Sequence, residues 1–295
     1  MAKTREIKKR IKAVGNIRRI TKTMQMIATS KFARAQAQAV ATRPYTLGLF
    51  ELVTELAATA GDIQHPLIQG PAKLAPDAKP LTLILTSDRG LCGPYNGSVL
   101  RKTMGHFREL AGSRQGVIEL VGKKGASFLK YNQIPVAQRY DIGDKVSFDR
   151  VEPIAQSYID RFIAGEISSV HVVYMKFISA GKQTPEVLQL LPLKPPAAKT
   201  DAAATKAGPA LLYEFSPAAP ELLGEMLPAT VKATLLQVFN DAIVSEHVAR
   251  MVAMKAATDN AGKMRKLYTR DFNRARQAQI TTELSEIIAG AAALG

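Results

Sequence analysis

All sixteen prolines of this 295-residue chain lie between Pro44 and Pro228, and none occurs in residues 1–43 or 229–295. A proline inside a helix removes one backbone hydrogen bond and clashes with the preceding turn. The distribution therefore permits two long terminal helices and confines interruptions to the middle. At 1.5 Å per residue the two proline-free segments reach roughly 65 and 100 Å, longer than a compact domain of this size accommodates.

Apolar spacing supports helices at both ends. Ile7, Ile11, Val14, Ile17, Ile20, Met24 and Ile27 recur at steps of three or four, which predicts a single apolar stripe. Val231, Leu235, Val238, Ala242, Ser245, Val248 and Val252 begin a similar stripe, and Ile280, Leu284, Ile287, Ala291 and Leu294 finish one. Two such helices satisfy each other best as an antiparallel coiled coil. The spacings are too irregular for strict heptads, so a loose supercoil is expected.

Between them, β-rich runs alternate with helical ones. "LTLILTSD" (81–88), "GVIELVG" (116–122), "SVHVVYMKFIS" (169–179) and "EVLQLLPL" (186–193) read as strands. "NGSVLRKTMGHFREL" (96–110) reads as a helix with Asn96 as a possible N-cap, and a short helix follows around 123–131. "VEPIAQSYIDRFIAGE" (151–166) is amphipathic, with Pro153 expected in its first turn. "KPPAAKTDAAATKAGPA" (194–210) holds no large apolar residue and reads as a flexible surface excursion. The expected division is an N-terminal helix over 1–60, an α/β domain over 78–193, an excursion and linker over 194–216, and a C-terminal helix over 217–295.

Charge is placed unevenly. Residues 1–43 carry twelve Lys/Arg against one Glu, most of the chain's formal +15. Lys8, Lys9, Arg10, Lys12, Arg18, Arg19 and Lys22 form this basic face, and its partner is expected to be anionic: nucleic acid, an acidic membrane surface or an acidic protein. No apolar run reaches the roughly 20 residues of a membrane span, and no signal-peptide core follows the basic start, so a soluble or peripheral chain is expected. Cys92 is the only cysteine and the four histidines lack ligand spacing, which argues against a disulfide or a multi-Cys metal site.

One local motif resembles a site. "TSDRGLCGPYNG" (86–97) is a glycine-bearing turn between a strand and a helix, the kind of turn that presents backbone N–H groups to phosphate. It matches neither GxxxxGK[ST] nor GxGxxG. Asp88 and Arg89 have no second carboxylate, histidine or nucleophile at a diagnostic spacing, and Cys92 has no identifiable base, so a tight structural turn with a small buried cysteine is expected. No catalytic, cofactor or metal residues are assigned. The last stretch, "QAQITTELSEIIAGAAALG", keeps a helical pattern while turning to Ala, Gly and Leu, an unusual tip for a solvated helix.

Three stretches together resemble a known family: "REIKKRIKAVGNIRRITKTMQMIATSKFARAQ" (5–36), "SDRGLCGPYN" (87–96) and "SEHVARMVAMKAATDNAGKMRKLYTRDFNRARQAQITTELSEIIAGAAAL" (245–294) are similar to the γ subunits of bacterial F-type ATP synthases. The resemblance implies an α/β fold made of a long antiparallel coiled coil of N- and C-terminal helices plus an inserted Rossmann-like α/β domain. It implies a non-catalytic rotor shaft that binds no cofactor and turns inside three α and three β subunits. Its other partners are subunit ε and the ring of c subunits, on the cytoplasmic side of the bacterial inner membrane. By the same resemblance Met24, Arg250, Gln277, Thr281 and Glu283 are subunit-interface residues, the basic face meets acidic β-subunit loops, and the apolar tip turns in a smooth sleeve. Gly262 and Gly290 mark places where such a shaft is softer. Read without the resemblance, a basic coiled coil for nucleic acid stays open, although Phe32 is the only aromatic residue in its basic stretch.

Overall fold

The computed structural model describes residues 2–60, 65–71, 73–110, 116–143, 146–193 and 219–294. The excursion read at 194–210 and the linker to 216 lie outside these residues. In chain order the elements are α1 (Ala2–Ala60), α2 (Pro66–Gln69), β1 (Lys79–Leu85), α3 (Tyr95–Glu109), β2 (Val117–Val121), α4 (Lys123–Tyr131), β3 (Gln138–Tyr140), α5 (Phe148–Ile163), β4 (Ile167–Ser179), β5 (Lys182–Leu191) and α6 (Ala219–Leu294). Contacts divide the chain into two units: residues 1–30 with 250–295, and residues 31–249.

The terminal helices are longer than the proline-free segments, because α1 runs through Pro44 and α6 through Pro228. Pro44 and the residue one turn before it, Val40, are both exposed, so water reaches the carbonyl that the missing N–H leaves behind. Pro153 likewise sits at the sixth position of α5, not in its first turn, because α5 begins at Phe148; it too faces solvent.

The unit of residues 31–249 is built on a five-stranded sheet of order β3-β2-β1-β4-β5, parallel except for the antiparallel β4–β5 hairpin. Alternation along β1 sends Leu81, Leu83 and Leu85 to one face and Ile84 to the other. On the first face they meet Tyr158, Ile159 and Phe162 of α5, Leu56 of α1, and Leu227, Val231, Leu235 and Phe239 of α6. On the second face Tyr95, Val99 and Phe107 of α3 and Leu129 of α4 pack with Ile118, Leu120, Val173 and Met175. Fully burying one such side chain contributes about 1.5–3 kcal/mol.

Two polar devices fix the sheet edge. Buried Glu119 on β2 accepts hydrogen bonds from the hydroxyls of Tyr140 and Tyr158, both at 2.7 Å, and from Arg161 Nη1 at 3.0 Å. This ties β3 and α5 to the same strand. Gly122, at φ +96°, brings the start of α4 so close to β1 that a Cβ there would lie 2.2 Å from the Thr86 carbonyl oxygen. Only glycine fits that approach.

Candidate functional site in the paired terminal helices

The glycine-bearing turn is closed by its own side chains. Asn96 does not cap α3, since the N-cap position is Pro94 and Asn96 lies inside the first turn. Its side chain instead reaches back: Oδ1 accepts from Ser87 N at 2.9 Å, and Nδ2 donates to Ser87 Oγ at 2.7 Å and Cys92 Sγ at 3.2 Å. Ser87 Oγ donates to the Arg89 carbonyl at 2.7 Å, and Asp88 Oδ1 accepts from Lys123 N at 3.1 Å. Cys92 is buried in the core beneath. The crevice outside the C-terminal ends of parallel strands is where open α/β sheets usually take ligands. Here Phe239, Ala242 and Ile243 of α6 fill it, and the Tyr95 hydroxyl donates to the Ala242 carbonyl at 3.2 Å. The remaining cavity is about 40 Å³. Small-molecule pockets are typically several hundred Å³, so a nucleotide has no room here.

Within the unit of residues 1–30 and 250–295, α1 and α6 pair antiparallel. Thr4 Oγ1 donates to Gln279 Oε1 at 3.1 Å, and Thr258 Oγ1 donates to Thr21 Oγ1 at 2.8 Å, so the partner number falls as the α1 number rises. The least exposed α1 positions include Thr4, Ile7, Ile11, Val14, Thr21 and Ala28; on α6 they include Met254, Thr258, Ala261, Tyr268, Phe272, Ala275 and Gln279. Both sets fit alternating steps of three and four, a seven-residue repeat. This corrects the expectation of an irregular seam. Small and polar residues hold many seam positions, so hydrophobicity alone followed the seam through Ile7, Ile11 and Val14 and then left it. Ile17, Ile20 and Ile27, expected in the seam, face outward; Ile20 is 58% exposed.

Beyond Gln279, every described side chain of α6 to residue 292 is exposed, including Ile280, Leu284, Ile287 and Ile288. Val252 also faces solvent. At Gly262 the Arg18 side chain lies alongside, with Nε 3.6 Å from where a Cβ would stand, an ordinary van der Waals contact.

The five residues expected at a subunit interface fall into two groups. Met24 and Arg250 are half-buried toward one end of the helix pair. Gln277, Thr281 and Glu283 are exposed, about 40–50 Å along α6 from Arg250 at 1.5 Å per residue. Thr281 Oγ1 donates to the Gln277 carbonyl at 3.0 Å, which puts that pair on one row; Glu283 stands on another, accepting from Gln279 Nε2 at 2.8 Å. Thr4, Gln279 and Glu283 thus form one hydrogen-bonded chain from α1 to the start of the unpaired tip.

All seven residues of the expected basic face are exposed. Arg10 pairs with Glu6 at 2.6 Å and Arg19 donates to Asn16 Oδ1 at 3.0 Å. Lys12, Arg18, Arg19 and Lys22 line a groove of about 600 Å³, joined from α6 by Lys255 and Arg265, with Asp259 the only acid among the described lining residues. Sequence reading missed Lys255 and Arg265. Only the antiparallel register brings them beside residues some 240 positions away.

A family model described as ATP synthase matches residues 3–294. The chain is 42% identical to the ATP synthase gamma chain of Rhodopirellula baltica, covering 100% of this chain and 99% of that one. It is 38% identical to that of Leptospira biflexa, covering all of both. Among solved structures it is similar to a chain of the Euglena gracilis mitochondrial ATP synthase (OSCP/F1/c-ring), with a TM-score of 0.67, 18% identity, and 99% of this chain and 95% of that chain covered. A chain in the central stalk/c-ring structure of the Tetrahymena thermophila enzyme gives a TM-score of 0.57 at 20% identity, covering 81% and 99%. The structural likenesses bear on the fold, whereas the curated relatives fix the family; neither supports the nucleic-acid alternative. Matched from end to end by both, the chain belongs to the ATP synthase gamma chain family, the γ subunits of F-type ATP synthases.

Proposed function

We propose that this subunit of the ATP synthase complex is the non-catalytic central rotor, which turns within a ring of three α and three β subunits. The α/β unit meets ε and the c ring at the cytoplasmic face of the bacterial inner membrane. Ion flow through the membrane rotor drives the helical pair in synthesis, and ATP hydrolysis on the β subunits drives it in reverse. Among the described residues no helix is long and apolar enough to cross a membrane, in keeping with a peripheral role.

The observation that carries this reading is the apolar surface left outward on the helix pair. A two-helix seam that gives many of its positions to Thr, Ala and Gln while Ile17, Ile20 and Ile27 turn to solvent suits a pair designed to be surrounded. The tip supports the same reading. Exposed Ile, Leu, Ala and Gly side chains make weak, non-directional contacts, so three orientations in a threefold sleeve stay close in energy. Lower on the pair, directional contacts set the angle: Gln277, Thr281 and Glu283 as one group and Met24 and Arg250 as another hydrogen-bond or pack against β-subunit loops. The groove of Lys12, Arg18, Arg19, Lys22, Lys255 and Arg265 receives acidic loops, with Lys8, Lys9 and Arg10 extending the same field.

One asymmetric pair inside a threefold ring cannot touch three β subunits alike, so it biases each toward a different nucleotide affinity, and rotation moves the bias round the ring. The test is co-expression with the host's α and β subunits, followed by sizing and an ATPase assay. One copy of this chain with three of each, active only when the chain is present, is the expected result. Failure to co-purify under native conditions would overturn the rotor assignment.

A further inference from the structure

The unit of residues 31–249 holds a buried pair of histidines that the rotor reading does not use. His106, near the C-terminal end of α3, and His171 on β4 are both buried, with ring centroids 4.9 Å apart and planes tilted by 47°. Both line a cavity of about 770 Å³ between α3 and β5. The first half of α3 is seated on the sheet through Tyr95 and Val99, in an apolar cluster. Its second half adds Phe107 to that cluster and otherwise rests on a more polar floor. Thr103 is fully buried, donating to the Val99 carbonyl at 3.0 Å, and His171 is the β4 partner in register with buried Thr82 of β1. Ser169 Oγ lies 3.4 Å from His171 Nδ1.

We propose that the His106–His171 pair is a proton-operated latch, holding the C-terminal half of α3 on β4 and β5 at neutral pH and loosening it in mild acid. Neutral imidazoles in tilted contact pack as partly apolar rings, whereas an imidazolium needs water or a carboxylate around it. At this separation the rings take up one proton before two. The cavity gives that proton a route in. Its charged lining is mixed: Lys102 and Glu109 from α3, and Glu186 from β5, which is ion-paired with Lys176 at 3.0 Å. Phe50 of α1 and Thr234 of α6 complete its walls without a titratable group.

Desolvation lowers the His106 pKa below its ordinary 6.5, with Glu109 opposing and Lys102 adding to the shift. A histidine depressed in the folded state contributes stability that is full above pH 6.5 and is lost as the pH falls below it. The latch is therefore closed at neutral pH and weakens on acidification.

Hydrogen exchange, read by mass spectrometry on the full-length chain in its assembled complex, tests this. Exchange in peptides covering 103–109 is divided by that of α5 peptides in the same sample, so the intrinsic pH effect and global loosening cancel. The expected ratio is constant from pH 7.5 to 6.5 and then rises, by at most about tenfold per pH unit for one linked proton. His106→Gln and His106→Phe, which cannot take up that proton, are expected to flatten the profile. A wild-type ratio that stays flat to pH 5.5, or a rise that persists in either variant, overturns the proposal. The wild-type profile needs no substitution, so misfolding of a variant does not shield the idea.

Discussion

The two units bury different things. Around the sheet, Tyr158, Phe162, Leu81, Leu83, Ile84 and Leu120 disappear from solvent, and the faces of β1 are covered from both sides. In the terminal helix pair, the buried residues described are few and mostly small, among them Val14, Ala28, Met254, Thr258 and Ala261, while larger isoleucines point outward. The first unit encloses a core of large side chains; the second buries little of its apolar surface within itself. The contrast implies that substitutions in the sheet unit act on folding, whereas those on the outward face of the pair act on assembly.

The sharpest way to break this contrast is to open the sheet core. Phe162→Ala removes a fully buried ring between α5 and the sheet, and a loss of about 3–5 kcal/mol is expected. Chemical denaturation of the full chain followed by circular dichroism checks it. A loss under about 1 kcal/mol would mean that this face of the sheet is not the stabilising core.

Next in size is the Glu119 network. Tyr158→Phe keeps the ring but deletes a 2.7 Å hydrogen bond to a buried carboxylate, which costs about 1.5–3 kcal/mol. Tyr140→Phe deletes the equivalent bond at a half-buried position and is expected to cost less. Burial, together with the Glu119 carboxylate, pushes both phenols above their ordinary range, so neither ionises at any working pH. Equal losses for the two variants, measured by the same denaturation, would show that burial does not set the scale here.

In the helix pair the effects are smaller. Thr258→Val removes the hydroxyl that reaches Thr21 while filling nearly the same volume, and about 1 kcal/mol is expected. Ile20→Ser, on the outward face, is expected to leave the stability of the free chain within about 0.5 kcal/mol. The same variant should weaken co-purification with the α and β subunits. If the free chain lost stability and the assembly did not, the isoleucine stripe would belong to the seam after all.

Legibility from sequence followed the same divide. The strands, α3 to α5 and the two terminal helices could be read because large apolar residues recur at the period of their element, and residues 1–43 and 229–295 hold no proline. Four features hid themselves for stated reasons. Pro44, Pro153 and Pro228 lie inside helices because tertiary packing overrides a single lost hydrogen bond. β3 is three residues long, too short for a period, and is held by Tyr140 reaching Glu119. The seam repeat was masked by Thr, Ala and Gln, and the full cationic groove needed the register of two segments at opposite ends of the chain. The individual interface residues rested on resemblance, since no spacing distinguishes Gln277 or Thr281 from other polar residues of a long helix.

The last expected effect, also small, concerns a charge inside the sheet unit. Asp241 of α6 is buried; its Oδ1 accepts from Gln237 Nε2 at 2.9 Å and lies 3.8 Å from Arg43 Nη2 of α1. Desolvation raises its pKa, and the Gln237 hydrogen bond and Arg43 recover only part of that shift. An acid raised in the folded state binds its proton more tightly there than in the unfolded chain. Its ionisation therefore opposes folding at neutral pH, and this opposition fades as the pH falls through the folded pKa. Asp241→Asn keeps an acceptor for Gln237 and removes the buried charge. It is expected to leave stability at pH 7 unchanged or raise it by up to about 1 kcal/mol, and to flatten the dependence of stability on pH between neutral and pH 4. Denaturation midpoints of the two chains across that range decide the matter. A loss of more than 1 kcal/mol at pH 7 would mean that the 3.8 Å pair with Arg43 outweighs the desolvation, and that α1 and α6 are joined in this unit by charge as much as by their apolar contacts.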